Sequence, residues 1–85
     1  APNEYAVEYF EIHSDSVRPS QKVVIIDDLI ATGSSSISAI DLIKKLNGDV
    51  VGFGAVVELR FLKGVKNIKN AFPEVDIMSL IQFEE

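Results

Sequence analysis

Two adjacent carboxylates, Asp27 and Asp28, stand between the apolar run Val23-Val24-Ile25-Ile26 and the small-residue stretch Ala31-Thr32-Gly33-Ser34-Ser35. Successive side chains of an extended strand point to opposite faces. Two neighbouring acids can therefore engage two different groups, such as vicinal hydroxyls of a sugar. The small residues that follow open an amphipathic helix. At a helix N-terminus the unpaired N–H groups and the positive end of the dipole favour an anion, and the hydroxyls of Thr32, Ser34, Ser35 and Ser36 add donors. Gly33 is the position where a Cβ would most obstruct backbone approach. Carboxylates for a ribose beside a loop for its phosphate make a ribose-5-phosphate site. The stretch has neither Gly-x-Gly-x-x-Gly nor Gly-Lys-Ser/Thr, so it is neither the dinucleotide fingerprint nor the Walker loop. The plainer alternatives are an acidic strand end and a Ser/Thr helix cap. A cap needs only one hydroxyl, however, and adjacent acids repel unless donors or a cation compensate them.

These groups need a frame, and the surrounding pattern supplies one. The apolar run reads as a strand over 23–27, buried on both faces of a parallel sheet. The acids then lie at its end, the edge where open α/β sheets bind ligands. Over 34–47, Ile37, Ile40, Leu42, Ile43 and Leu46 recur at helical spacing and make one broad apolar face. Lys44 and Lys45 suit the last turn, with Gly48 as the stop. Residues 50–59 read as a second apolar strand, in which Gly52 and Gly54 leave room for a close neighbour. A short helix over 62–70, ended by Pro73, and a last strand over 75–81 complete the alternation. Upstream, 9–13 alternates as a half-exposed strand and 18–21 is a turn. Strand, helix, strand, helix, strand implies right-handed crossovers and an α/β fold, a parallel sheet flanked by helices.

Composition narrows the function classes. Net charge is −5, which argues against a nonspecific nucleic-acid groove, since such grooves rely on clustered Lys and Arg. Cysteine is absent, so disulfides and thiolate metal sites are excluded. No apolar run approaches the ~20 residues of a membrane helix. Eighty-five residues are few for a full α/β domain.

Residues 23–35 resemble the phosphoribosyl-pyrophosphate (PRPP) motif of type I phosphoribosyltransferases, with Ser34 where that family more often has Gly. The flanks resemble the adenine-specific members: Glu4-Tyr5, Phe10-Glu11-Ile12-His13, Asp15, Pro19 and Lys22 upstream, then Val57-Glu58-Leu59, Phe61-Leu62-Lys63-Gly64 and the ending Ser79-Leu80-Ile81-Gln82-Phe83-Glu84. The resemblance implies part of a type I phosphoribosyltransferase fold. Residues 1–85 would be the C-terminal portion of a single domain, with 1–8 a flexible catalytic loop and 23–35 the PRPP-binding motif. The purine pocket would lie in the N-terminal portion.

The reaction so implied converts adenine and PRPP to AMP and pyrophosphate in purine salvage, in a cytoplasmic homodimer with no nucleic-acid or membrane partner. Mg²⁺ would be bound mainly through PRPP. Asp27 and Asp28 would accept hydrogen bonds from the ribose 2′- and 3′-hydroxyls and support Mg²⁺ through water, with no direct metal ligand. Leu29, Ile30, Ala31, Thr32, Gly33, Ser34 and Ser35 would complete the PRPP/AMP site. Glu4 and Tyr5 would be the catalytic residues of the closing loop, the Glu managing the purine proton, with Ala6 where the family has Gly. His13 reads as a surface residue, Lys63, Lys66 and Lys69 as a solvated face, and Glu58 as a strand-end group near the cleft with a structural or dimer role. Two alternatives stay open: transfer to another purine base such as xanthine, and a non-catalytic PRPP- or nucleotide-sensing regulator of the same fold.

Overall fold

The computed structural model describes residues 19–85. The expected catalytic loop over 1–8, with Glu4 and Tyr5, and the expected strand over 9–13, with His13, lie outside the described residues. The remainder alternates as expected: β1 (Lys22–Ile30), α1 (Ser34–Lys45), β2 (Asp49–Leu59), a 3₁₀ turn (Arg60–Leu62), α2 (Gly64–Ala71) and β3 (Asp76–Phe83). The strands form one parallel sheet in the order β1-β2-β3. Each helix is the crossover between neighbouring strands, and two crossovers of the same hand stepping in one direction place both helices on the same face.

That placement decides burial. Ile30, Ile40, Ile43, Val50, Phe53, Ala55, Ile68 and Val75 form the core between the helices and the covered face, with Val23, Ile25 and Ile77 packed against it. Among the described residues the other face is open. Val24, Ile26, Met78 and Leu80 are exposed, Ile26 by 62% and Met78 by 68%. β1 is thus buried on one face rather than on both, which corrects the reading of its unbroken apolar run. Burial on both faces would require helices on both sides, and the described crossovers share one. Val24 and Ile26 lean over Gly52 and Gly54 on β2, so the room those glycines leave is taken by side chains of β1.

Two boundaries also differ with a physical reason. β1 continues past Asp27 and Asp28 to Ile30, because its pairing with the eleven-residue β2 runs on through Leu29 with Val57 and Ile30 with Glu58. The acids therefore lie within the strand, near its C-terminal end. At the end of α1 the left-handed residue is Asn47 (φ 65°), not Gly48. The Gly48 N–H donates to the Ile43 carbonyl (3.0 Å) and the Asn47 N–H to that of Lys44 (2.9 Å), which closes the helix as a Schellman motif with Asn in the glycine position. Pro19 and Ser20 form the expected turn, and Ser20 takes the corner at φ 62°.

Among the described glycines, those with least room for a Cβ join the segment after β1 to the start of α2. A Cβ on Gly33 would stand 2.7 Å from the Gly64 carbonyl oxygen, and the space for a Cβ on Gly64 is filled by the Ala31 carbonyl and by Ile30. Gly33 is also left-handed, at φ 89°. Two elements can touch backbone to backbone here only because both residues lack a side chain. Gly33→Ala adds left-handed strain to overpacking, and Gly64→Ala adds overpacking alone. Each should lower the unfolding free energy by about 1–3 kcal/mol. The double variant should lose less than the sum, since both remove one contact. Denaturant unfolding of the three variants checks this, and full additivity would show that the two glycines act separately.

Candidate functional site

β1 delivers the two carboxylates in different directions, as its alternation requires. Asp27 follows Val23 and Ile25 toward the helix-covered side and is half-buried; Asp28 follows Val24 and Ile26 toward the open side and is exposed. The Asp27 Oδ1 accepts the N–H of Asp28 at 2.7 Å. Burial, with the Asp28 side chain close by, raises the Asp27 carboxyl above the ordinary carboxylate range, although the Asp28 N–H partly offsets this. Two acids held this way have acceptor capacity that donors among the described residues leave unfilled, which is what hydroxyl donors or a hydrated cation would relieve.

The loop from Ala31 to Gly33 follows β1 directly and leads into the N-terminus of α1. Gly33 is the residue before the helix, and its carbonyl accepts the N–H of Ile37 at 2.8 Å. No side chain caps α1, and its first turn carries no acid. The Thr32 and Ser34 hydroxyls bond each other at 3.0 Å, and the Ser34 N–H lies a marginal 3.5 Å from the Thr32 Oγ1. A twelve-residue helix whose first amides lack a carboxylate or hydroxyl cap of good geometry offers an anion both free N–H groups and the positive end of its dipole. Thr32, Ser34 and Ser35 are exposed beside those amides, whereas Ser36 is buried and faces away, so three hydroxyls rather than four serve the loop.

The other expected site residues divide by exposure. Leu29 is exposed, but Ile30 has no exposed surface at all and belongs to the core beneath the site rather than to its lining. Gly33 needs its missing Cβ for the contact with Gly64 whether or not a ligand is bound. One group was not legible in the sequence, and one that the sequence marked as a strand-end residue shows its partners here. The Asn67 side-chain amide, on α2, donates to the Thr32 carbonyl at 2.8 Å. Glu58, nearly buried at the end of β2, accepts from the Ser79 hydroxyl at 2.7 Å, and the Gln82 amide donates to that same hydroxyl oxygen at 3.0 Å. Periodicity reports which face a residue lies on, but not which distant carbonyl it reaches.

As a metal centre the carboxylates are a partial donor set of hard oxygens. Among the described residues no three His, Cys, Asp or Glu side chains gather to hold an ion. Their chemistry fits Mg²⁺, which retains most of its waters and is shared with substrate phosphates. Among the described residues no helix is long and apolar enough to cross a membrane.

Comparison with known proteins adds the lineage of this arrangement. The model of a family described as uracil phosphoribosyltransferase matches residues 2–82. An adenine phosphoribosyltransferase from Caldicellulosiruptor bescii is 48% identical over 81 residues, which is 95% of this chain and 44% of that protein. The crystal structure of adenine phosphoribosyltransferase from Thermoanaerobacter pseudethanolicus superposes with a TM-score of 0.76 at 42% identity, over 85% of this chain and 40% of that one. That of the Trypanosoma brucei enzyme, in complex with AMP, pyrophosphate and ribose-5-phosphate, superposes with a TM-score of 0.67 at 27% identity, over 74% of this chain and 29% of that one. The chain spans less than half the length of the relatives it matches. With its parallel α/β sheet and its Asp-Asp strand leading into an uncapped helix, the chain belongs to the phosphoribosyltransferase family.

Proposed function

We propose that the protein transfers the phosphoribosyl group of PRPP to adenine, releasing pyrophosphate and forming AMP in purine salvage. The observation that carries this reading is the continuity of Asp27-Asp28, the 31–33 loop and the uncapped α1, a succession of acceptors and then free amides that supports binding of two hydroxyls and one phosphate. The adenine-specific names of the relatives, at up to 48% identity, favour adenine as the base.

In the reaction the bond from C1′ to the pyrophosphate oxygen breaks and a bond from C1′ to a ring nitrogen of adenine forms, with loss of that nitrogen's proton. Positive charge grows on the ribose between the two events. Asp27 and Asp28 hold the ribose by its 2′- and 3′-hydroxyls, and their negative charge lies on the side where the ring becomes cationic. The 31–35 segment fixes the 5′-phosphate through backbone N–H groups and the Thr32, Ser34 and Ser35 hydroxyls. Asp27 and Asp28 would hold Mg²⁺ through water, and the ion would supply neutralisation of the pyrophosphate leaving group. Glu4 and Tyr5 are proposed for the closing loop, with Glu4 taking the purine proton.

The uracil description of the matching family model favours a second reading, in which the accepted base is not adenine. Turnover with PRPP and Mg²⁺ across adenine, hypoxanthine, xanthine and uracil separates the two. AMP formation from adenine at a kcat/KM at least tenfold above the others is expected, and a different preferred base would replace the adenine assignment.

The carboxylates give two further expectations. Asp28→Asn removes a charge-assisted hydrogen bond, and AMP and PRPP should bind about 10- to 100-fold more weakly by calorimetry. Unchanged affinity would remove Asp28 from the ribose site. Asp27→Asn keeps an acceptor for the Asp28 N–H but abolishes a half-buried negative charge. Because the folded-state value of Asp27 is raised, its protonated form contributes stability that is complete below the ordinary carboxylate value and is lost as pH rises through the raised value. At neutral pH the variant should therefore melt at or above the wild-type temperature while binding AMP more weakly, and its advantage should vanish as the pH falls below that window. A variant less stable than wild type at neutral pH would show that Asp27 serves the fold.

A further inference from the structure

An anion loop must turn its N–H groups toward the ligand and its carbonyl oxygens away, because each carbonyl repels a phosphate as surely as each amide attracts it. The three carbonyls of the 31–33 loop are each placed against protein by a different means. That of Ala31 occupies the space beside Gly64, that of Gly33 accepts the Ile37 N–H within α1 at 2.8 Å, and that of Thr32 accepts the Asn67 side-chain amide at 2.8 Å. In a trans peptide the carbonyl and the following N–H point in opposite directions. Anchoring these carbonyls therefore turns the N–H groups of Thr32, Gly33 and Ser34 the other way. Two of the anchors are backbone contacts inherent in the fold. Only the third depends on a side chain.

We propose that Asn67 is a positioning residue of the phosphate loop: its amide holds the Thr32 carbonyl on α2 and so aims the Gly33 N–H at the 5′-phosphate. This rests on the reading of residues 31–35 as the phosphate site. Asn67 is exposed and lies outside the core, which is filled at this point by its neighbour Ile68. A role in packing would therefore not account for it. Its amide is also the matching chemistry, a donor for a carbonyl; a carboxylate at the same place would repel both the carbonyl and the ligand.

The test compares AMP with adenosine, which differ by the phosphate alone, in the full-length protein and its Asn67→Ala and Asn67→Asp variants. Wild type should bind AMP more tightly than adenosine. Asn67→Ala should weaken AMP about three- to tenfold, the range for one lost side-chain hydrogen bond, and leave adenosine unchanged. Asn67→Asp should weaken AMP further. In turnover, KM for PRPP should rise by a similar factor with a smaller change in kcat. If Asn67→Ala binds AMP as wild type does, or loses AMP and adenosine equally, the positioning role is overturned. Wild type binding AMP no better than adenosine would instead overturn the phosphate-loop reading itself, and that result is visible before any variant is made.

Discussion

The backbone of the loop after β1 and the backbone at the start of α2 meet with no side chain between them, and most of the ligand edge depends on that meeting. Gly33 and Gly64 face each other across a gap that a single methyl group would close. The contact sets where α2 begins, which places Asn67 within reach of the Thr32 carbonyl and Ile68 in the core. It also sets the direction from which α1 leaves the loop, and thereby where its uncapped amides point. A glycine in such a loop is usually credited to the ligand's need for close approach. Here the packing against Gly64 and the left-handed backbone make that demand by themselves.

Much of this was legible in the chain. The order of elements and the Asp-Asp to Thr-Gly-Ser-Ser continuity follow from local patterning, because apolar period and helix-opening residues are local properties. What patterning could not supply was non-local. An unbroken apolar run such as Val23 to Ile26 is compatible with burial on one face or two, and which holds depends on where the crossovers lie. The extension of β1 through Asp28 to Ile30 depends on the length of its partner β2. Asn47 closes α1 in place of the adjacent glycine, a choice between two permissive residues that only backbone geometry decides. Asn67 carried no signal in the sequence, since a polar residue on a short helix is ordinary until its partner is known.

The carboxylate pair shows the opposite relation between fold and site. Asp27 is raised by burial and by its neighbour, an arrangement that favours no element of the fold. Elsewhere the charges are placed to stabilise. Lys45 pairs with Asp41 one helical turn earlier at 2.9 Å, and Lys44 reaches Glu74 at 2.9 Å while lying over the Phe72 ring. The Lys44 partner holds the Glu74 carboxyl below its ordinary range. The charges at the end of α1 are compensated within the chain, whereas the two acids side by side on β1 have no ion-pair partner among the described residues.

The open face of the sheet has a thermal consequence. Val24, Ile26, Met78 and Leu80 are exposed among the described residues, and hydrated apolar surface carries a large heat capacity. Unfolding adds less new surface of that kind than it would in a sheet covered on both sides. Against such a sheet the heat-capacity increment per residue is smaller, and the curve of stability against temperature is flatter. Whatever is laid over these four residues must announce itself by a fall in heat capacity on association.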